Sequence, residues 1–172
     1  MTKRIAALLA VCMLALSGAA MAEGVNPVES EGVIDIAEMS LSGVHIGMSR
    51  AEVEEILGEP TLRTKPYYAP AHDTWRDSYN YEWSLNVDFD GDSVMSLGTN
   101  KRNGIATPAG LEVGDTVEKM QRIYGKGYHY FFFDQETFEY HNNGAGDYAF
   151  YDMKITASNG IITEIDITSR ES

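Results

Sequence analysis

The chain has 172 residues, 44% of them hydrophobic, and carries 26 acidic against 13 basic side chains for a net charge of −13. So acidic a surface repels nucleic-acid phosphates and anionic lipid headgroups, which excludes both as default partners and favours basic proteins, cations or neutral ligands. One cysteine, Cys12, excludes an internal disulfide.

Lys3 and Arg4 precede an apolar run from Ile5 to about Leu16, and "SGAAMA" then sets small Ala20 and Ala22 before Glu23. This is the pattern of an export signal over residues 1–22, cleaved near Ala22, which sends the chain to the periplasm or the extracellular space. The apolar run falls short of the about 20 residues of a membrane span. An uncleaved anchor, or acylation at Cys12, is the weaker alternative. Cleavage leaves 150 residues, removes Cys12, and takes away Lys3 and Arg4 but no acid, so the charge moves from −13 to −15. A core of that size holds a domain without disulfides.

Residues 23–40 read as an acidic tether. A first unit, 41–100, opens on "GVHIGMSRAEVEEILGEP". Ser49 is the expected helix N-cap, with Glu52 completing a capping box. Val53, Ile56 and Leu57 form the apolar stripe, and Gly58 with Pro60 ends the helix. "YNYEWSLNVDFD" then alternates, with Tyr79, Tyr81, Trp83, Leu85, Val87 and Phe89 on one face and polar residues on the other. That is a half-buried strand with one wet side, which a "DGD" turn leads into the strand containing Met95 and Leu97.

Residues 101–109 carry linker breakers. The second unit, 110–172, opens on "GLEVGDTVEKMQRIYGKG", identical to the first at Gly43/Gly110, Gly47/Gly114, Ile56/Ile123 and Gly58/Gly125 with an offset of 67 positions. Thr116 is its cap, and Met120, Ile123 and Tyr124 its stripe. Asn159-Gly160 predicts a hairpin between "YDMKITA" and "IITEIDIT". Coincident caps, stripes and stops at one fixed offset point to an internal duplication. The expected fold is therefore α+β: a tandem repeat of two helix–three-stranded antiparallel sheet units, helices on one face and an open sheet face on the other.

On "HIGMSRAEVEEILGEPT", with Phe89-Asp90-Gly91, the chain resembles the SmpA/OmlA family of outer-membrane assembly lipoproteins. On "AEMSLSGVHIGMSRAEVEEILG" and the two-unit plan it is similar to the β-lactamase inhibitory protein family. These resemblances imply an α/β repeat fold and a protein-binding or envelope role. The chain lacks the acylated cysteine of the first family and the disulfides of the second, and no binding residue is carried over from either.

Catalytic signals are sparse. "DFDGDS" (Asp88, Asp90, Asp92) resembles the start of a calcium loop, but Ser93 and Thr99 stand where that loop needs glycine and a bidentate glutamate, so a hairpin turn is expected. His45, His72, His129 and His141 lack metal-ligand spacing. No nucleophile elbow or phosphate loop is recognisable. The expectation is no catalytic residue, no metal and no cofactor; a small hydrolase, built on a carboxylate pair assembled only in space, is the least favoured reading.

The informative excess is aromatic. In "YHYFFFD" (Tyr128–Asp134) alternate rings must point to opposite faces. Candidate partner-binding residues are Tyr148, Phe150, His129, Phe131 and Phe133 on the open sheet face, with Tyr67, Tyr68 and Trp75 in a proline-rich loop. The competing reading packs these rings between the units or under the tether. The function expected is an exported, non-enzymatic protein-interaction module, inhibitor-like or receptor-like, with a basic protein partner and no nucleic acid or stable membrane insertion. The alternative is an envelope structural component supporting outer-membrane protein assembly.

Overall fold

The computed structural model describes residues 32–82, 84–142 and 150–170. The leader, Cys12, residues 23–31 of the tether, Trp83 and Tyr148 lie outside them.

In chain order, β1 (Val33–Ile34) leads through a single 3-10 turn (Ile36–Glu38) into a small hairpin of β2 (Ser40–Leu41) and β3 (Val44–His45). Helix α1 (Arg50–Leu57) follows, then β4 (Leu62–Arg63), β5 (Tyr67–Ala69), β6 (Thr74–Tyr81), β7 (Leu85–Asp90) and β8 (Ser93–Thr99). Helix α2 (Val117–Tyr124) precedes β9 (Tyr128–Phe132), β10 (Gln135–Asn142), β11 (Phe150–Ser158) and β12 (Ile161–Arg170).

Local chemistry sets the helices. Ser49 Oγ accepts from the Glu52 amide, and the Glu52 carboxylate accepts from the Ser49 amide at 2.8 Å, so two of the helix's orphan donors are satisfied. Thr116 Oγ1 accepts from the Lys119 amide at 3.2 Å. Each helix stops at a glycine with positive φ, Gly58 at 78° and Gly125 at 76°, a region costly for any side chain. The segments before the caps are tied down in matching ways: Gly47 N–H donates to Val94 O and Gly114 N–H to Ile162 O, both at 2.8 Å.

The expected pair of helix-plus-three-strand units is overturned. Among the described residues the protein is mostly β: twelve strands, ten of them in one mixed sheet, with two helices of eight residues each. The single strand expected from Tyr79 to Asp90 is also corrected: it is two, β6 and β7, which pair antiparallel from Tyr81↔Leu85 outward. Strand order runs β1-β10-β11-β12-β8-β7-β6-β4, with β9 also on β10 and β5 also on β6. β8 joins β12 through Ser96↔Thr168 to Thr99↔Ile165, which makes one sheet of what the sequence divides in two. β1 pairs parallel to β10; the other pairings are antiparallel.

One face of this sheet holds the core. Leu85, Val87, Phe89, Leu97, Phe138, Tyr140, Met153, Ile155, Ile165 and Ile167 are all buried, as are Val53 of α1 and Met120 of α2. Both helices lie against this face. Arg50 of α1 covers the Phe89 ring at 4.2 Å, and Tyr124 of α2 contacts the Tyr140 ring at 5.6 Å. The stretch after β8 packs into the same core: Thr107 is buried and accepts the Tyr124 hydroxyl at 2.6 Å, and Ala106 O accepts from Ser42 N–H. No helix among the described residues is long and apolar enough to cross a membrane.

Candidate functional site

Side chains facing away from the helices form the other surface, and no described element covers it. Register defines it. One row crosses eight strands as Tyr128, Glu139, Lys154, Asp166, Gly98, Asn86, Asn80 and Leu62. A second runs His141, Asp152, Thr168, Ser96, Asp88 and Ser78. A third carries Tyr130, Thr137, Thr156 and Glu164. Strand alternation dictates this polarity at the centre, where Glu139, Asn86, Asp88 and Asp166 each follow a residue buried in the core.

The middle of the face is a notch. Gly98 has no side chain, and the Asp166 carboxyl leans over it; a Cβ built on Gly98 would collide with Asp166 Oδ1 and lie 3.3 Å from its Cγ. Around the gap lie Asn80, Asn86, Asp88, Ser96, Asn100 and Glu164, lining a cavity of about 240 Å³. Burial pushes the Asp166 carboxyl up to about 6, with Glu164 and Asp88 adding to the effect and Lys154 opposing it. Asp88 is held rigidly: Ser78 Oγ and Asn86 Nδ2 donate to Oδ1, and Ser96 Oγ donates to Oδ2 at 2.9 Å. At one side Arg76 meets Asp90 at 3.0 Å. Although burial opposes it, hydrogen bonds from Thr74 and Arg76 hold the Asp90 carboxyl below its usual range.

At the β9–β10 side the polar centre gives way to rings. Tyr130 donates its hydroxyl to Glu139 at 2.6 Å, and the Tyr128 ring contacts His141 at 5.2 Å. His141, Asp152 and Arg170 form a hydrogen-bonded cluster beside them. Phe150, paired with Arg170 and 52% exposed, belongs to the same face.

The predicted site residues divide between surfaces. Phe150 lies on the open face. His129 and Phe131 pair with Phe138 and Glu136, which puts them on the helix side; the His129 ring stacks on Phe138 at 4.5 Å. The alternate set, Tyr128 and Tyr130, is the one on the open face. Phe133 sits in the β9–β10 turn. Tyr67 pairs with Arg76 and shares its face, whereas Tyr68 and Trp75 pair with each other on the helix side, ring centroids 5.5 Å apart. Trp75 is 59% exposed, beyond the reach of the core. Sequence reasoning missed the Gly98 notch. Its signal was there: a glycine inside a strand marks a close approach of other groups.

Among the described residues no group of three or more histidine, cysteine or acidic side chains is placed to hold a metal ion. The arrangement offers a broad, acidic surface edged by rings.

No protein-family model matches the chain, and no curated protein matches it. Among solved structures it is similar to a Streptococcus mutans protein described as a "putative beta-lactamase inhibitor protein", at 14% identity over 73% of this chain and 83% of that one, with a TM-score of 0.31. A superposition of that quality carries no argument, and no family is assigned from it.

Proposed function

We propose that the protein is an exported, non-enzymatic interaction module that binds a basic protein segment on the open face of its sheet. The observation that supports this is the polar row from Tyr128 to Asn80 across a face that no described element covers. A sheet face with carboxylates at its centre and rings at its rim matches a partner offering lysine or arginine flanked by apolar groups. Tyr128, Tyr130 and Phe150 supply amphipathic contact area of the kind that carries binding energy. Asp88, Glu164 and Asp166 supply the charge.

Affinity capture from the cell's own envelope and culture fractions tests this, using the processed protein beside an Asp166→Asn variant and a Tyr128→Ala/Phe150→Ala variant, each shown folded by circular dichroism. The expected result is a partner held by the wild type, released as salt rises, and lost or much weakened with both variants. A partner held equally by all three removes the open face from the function. Recovery of the protein with washed membranes in place of any soluble complex would favour the envelope-assembly role instead.

A further inference from the structure

The two edges of the sheet are built differently. On the β6 side the outermost strands are β4, two residues long, and β5, three residues set between Pro66 and Pro70. Short strands and proline are the usual protection of an exposed edge. On the β10 side β1 is equally short, pairing only with His141 and Asn142, but the strand beside it along the same edge is not protected in this way. β9 runs five residues, Tyr128–Phe132, with no proline, and no lysine, arginine, aspartate or glutamate lies between Lys126 and Asp134. Among the described residues β9 pairs with β10 alone, so its other backbone edge has no strand partner.

Its rings are exposed on both faces: Phe131 67%, Phe132 63% and, in the following turn, Phe133 88%. Phe133 holds φ +53° in that turn, where glycine or asparagine would fit with less strain. Among the described residues its ring meets only that of Phe132, edge-on at 4.6 Å, and is otherwise left to solvent at the tip of the edge.

We propose that β9 is the pairing edge of a homodimer, adding antiparallel to β9 of a second copy. Three features select that occupant. A strand laid against β9 must offer apolar side chains on both faces, and β9 itself does so. In a chain of charge −13, this is a stretch of edge where two copies meet without opposing carboxylates. At about 200 Å² per ring, the exposed parts of Tyr128 to Phe133 come to about 600 Å² per copy, an upper bound for this edge that matches the about 1,200 Å² per pair at which specific interfaces begin. Antiparallel pairing of one strand with its own copy places the two-fold axis perpendicular to the sheet. Both open faces then lie on the same side, and the Tyr128, Tyr130 and Phe150 patches meet at the centre of one doubled sheet. This inference stands independently of what the open face binds.

The test is sedimentation equilibrium of the processed protein from about 1 to about 200 µM, with Phe131→Lys and Phe132→Lys variants, and Tyr67→Lys on the opposite edge as control. The expected result is a concentration-dependent dimer, weakened at least tenfold by either β9 variant and unchanged by the control. Hydrogen exchange on the wild type reads the same thing without mutation: β9 amides gain protection as concentration rises. A monomer throughout the range overturns the proposal, as does a dimer indifferent to both lysines or β9 amides whose exchange ignores concentration.

Discussion

The carboxyl of Asp166 occupies the space above Gly98, paired with it across the β12–β8 junction at the centre of the open face. Gly98→Ala therefore expels that carboxyl. The clash is with a side-chain end and the Ile165 carbonyl stays at 3.5 Å, so the backbone need not move. Stability should change by less than about 1 kcal/mol, since alanine recovers some backbone entropy in the strand. The Asp166 carboxyl, pushed into water, should titrate lower, toward the ordinary carboxylate range. NMR titration of the side-chain carboxyl carbon checks this; an unchanged midpoint contradicts the geometry.

Asp166 also sets a pH dependence. Its folded value of about 6 lies above the ordinary carboxyl, so the folded chain keeps a proton that the unfolded chain has released. Stability attributable to this group is therefore highest below about pH 4, falls as pH rises to about 6, and is level beyond. Asp166→Asn should stabilise by about 1–2 kcal/mol at pH 7.5, the cavity's wet rim holding it below the full linkage value, and by nothing at pH 3.5. Urea unfolding at the two pH values reads the difference.

Arg50 ties α1 to the sheet. Its guanidinium lies 2.6 Å from Asp77, 2.7 Å from the Gly91 carbonyl, and over the Phe89 ring. Arg50→Ala strands the Asp77 carboxylate, whose side chain is only 11% exposed, and should cost about 2 kcal/mol. Arg50→Lys restores a charge without the planar fork and should recover less than half. A double-mutant cycle with Asp77→Asn isolates the pair; coupling near zero would show that stacking on Phe89 supplies the whole effect.

Gly127 holds φ +64°, and a Cβ there would sit 2.8 Å from the Tyr140 ring and 3.1 Å from the Glu139 carbonyl. Gly127→Ala should destabilise by about 2–3 kcal/mol, combining left-handed strain with overpacking. Gly160 has φ +76° but open space around it, so Gly160→Ala should cost only about 1 kcal/mol. Thermal melts of the two variants separate strain from collision.

What was legible in the sequence was local. Ser49 with Glu52, Thr116, Gly58 and Gly125 bounded both helices, and Asn159-Gly160 the β11–β12 hairpin, because caps and turns are decided by neighbours a few residues away. The stripe from Tyr79 to Phe89 showed which side chains face the core, but not that the run folds back between Tyr81 and Leu85 into two strands. Long-range register was not. Nothing in Ser96–Thr99 announces Ile165–Thr168 as its partner, so one sheet read as two. Three-residue β5 carries too little periodicity to be separated from loop. Ile56, on the expected stripe of α1, is 44% exposed, since so short a helix buries little beyond Val53. In Tyr128–Phe132 alternation was plain, but only pairing with Phe138 tells which rings face the helices.

The junction of β8 and β12 also bears on how the chain is made. Thr99 finds Ile165 66 positions later, so β8 leaves the ribosome long before its neighbour exists. Until β12 arrives, the inner strand of the finished sheet is an outer one, with its amides and carbonyls open to any passing strand. β8 is therefore open to wrong pairing in the interval between the emergence of these two strands, and a pause placed there would lengthen it.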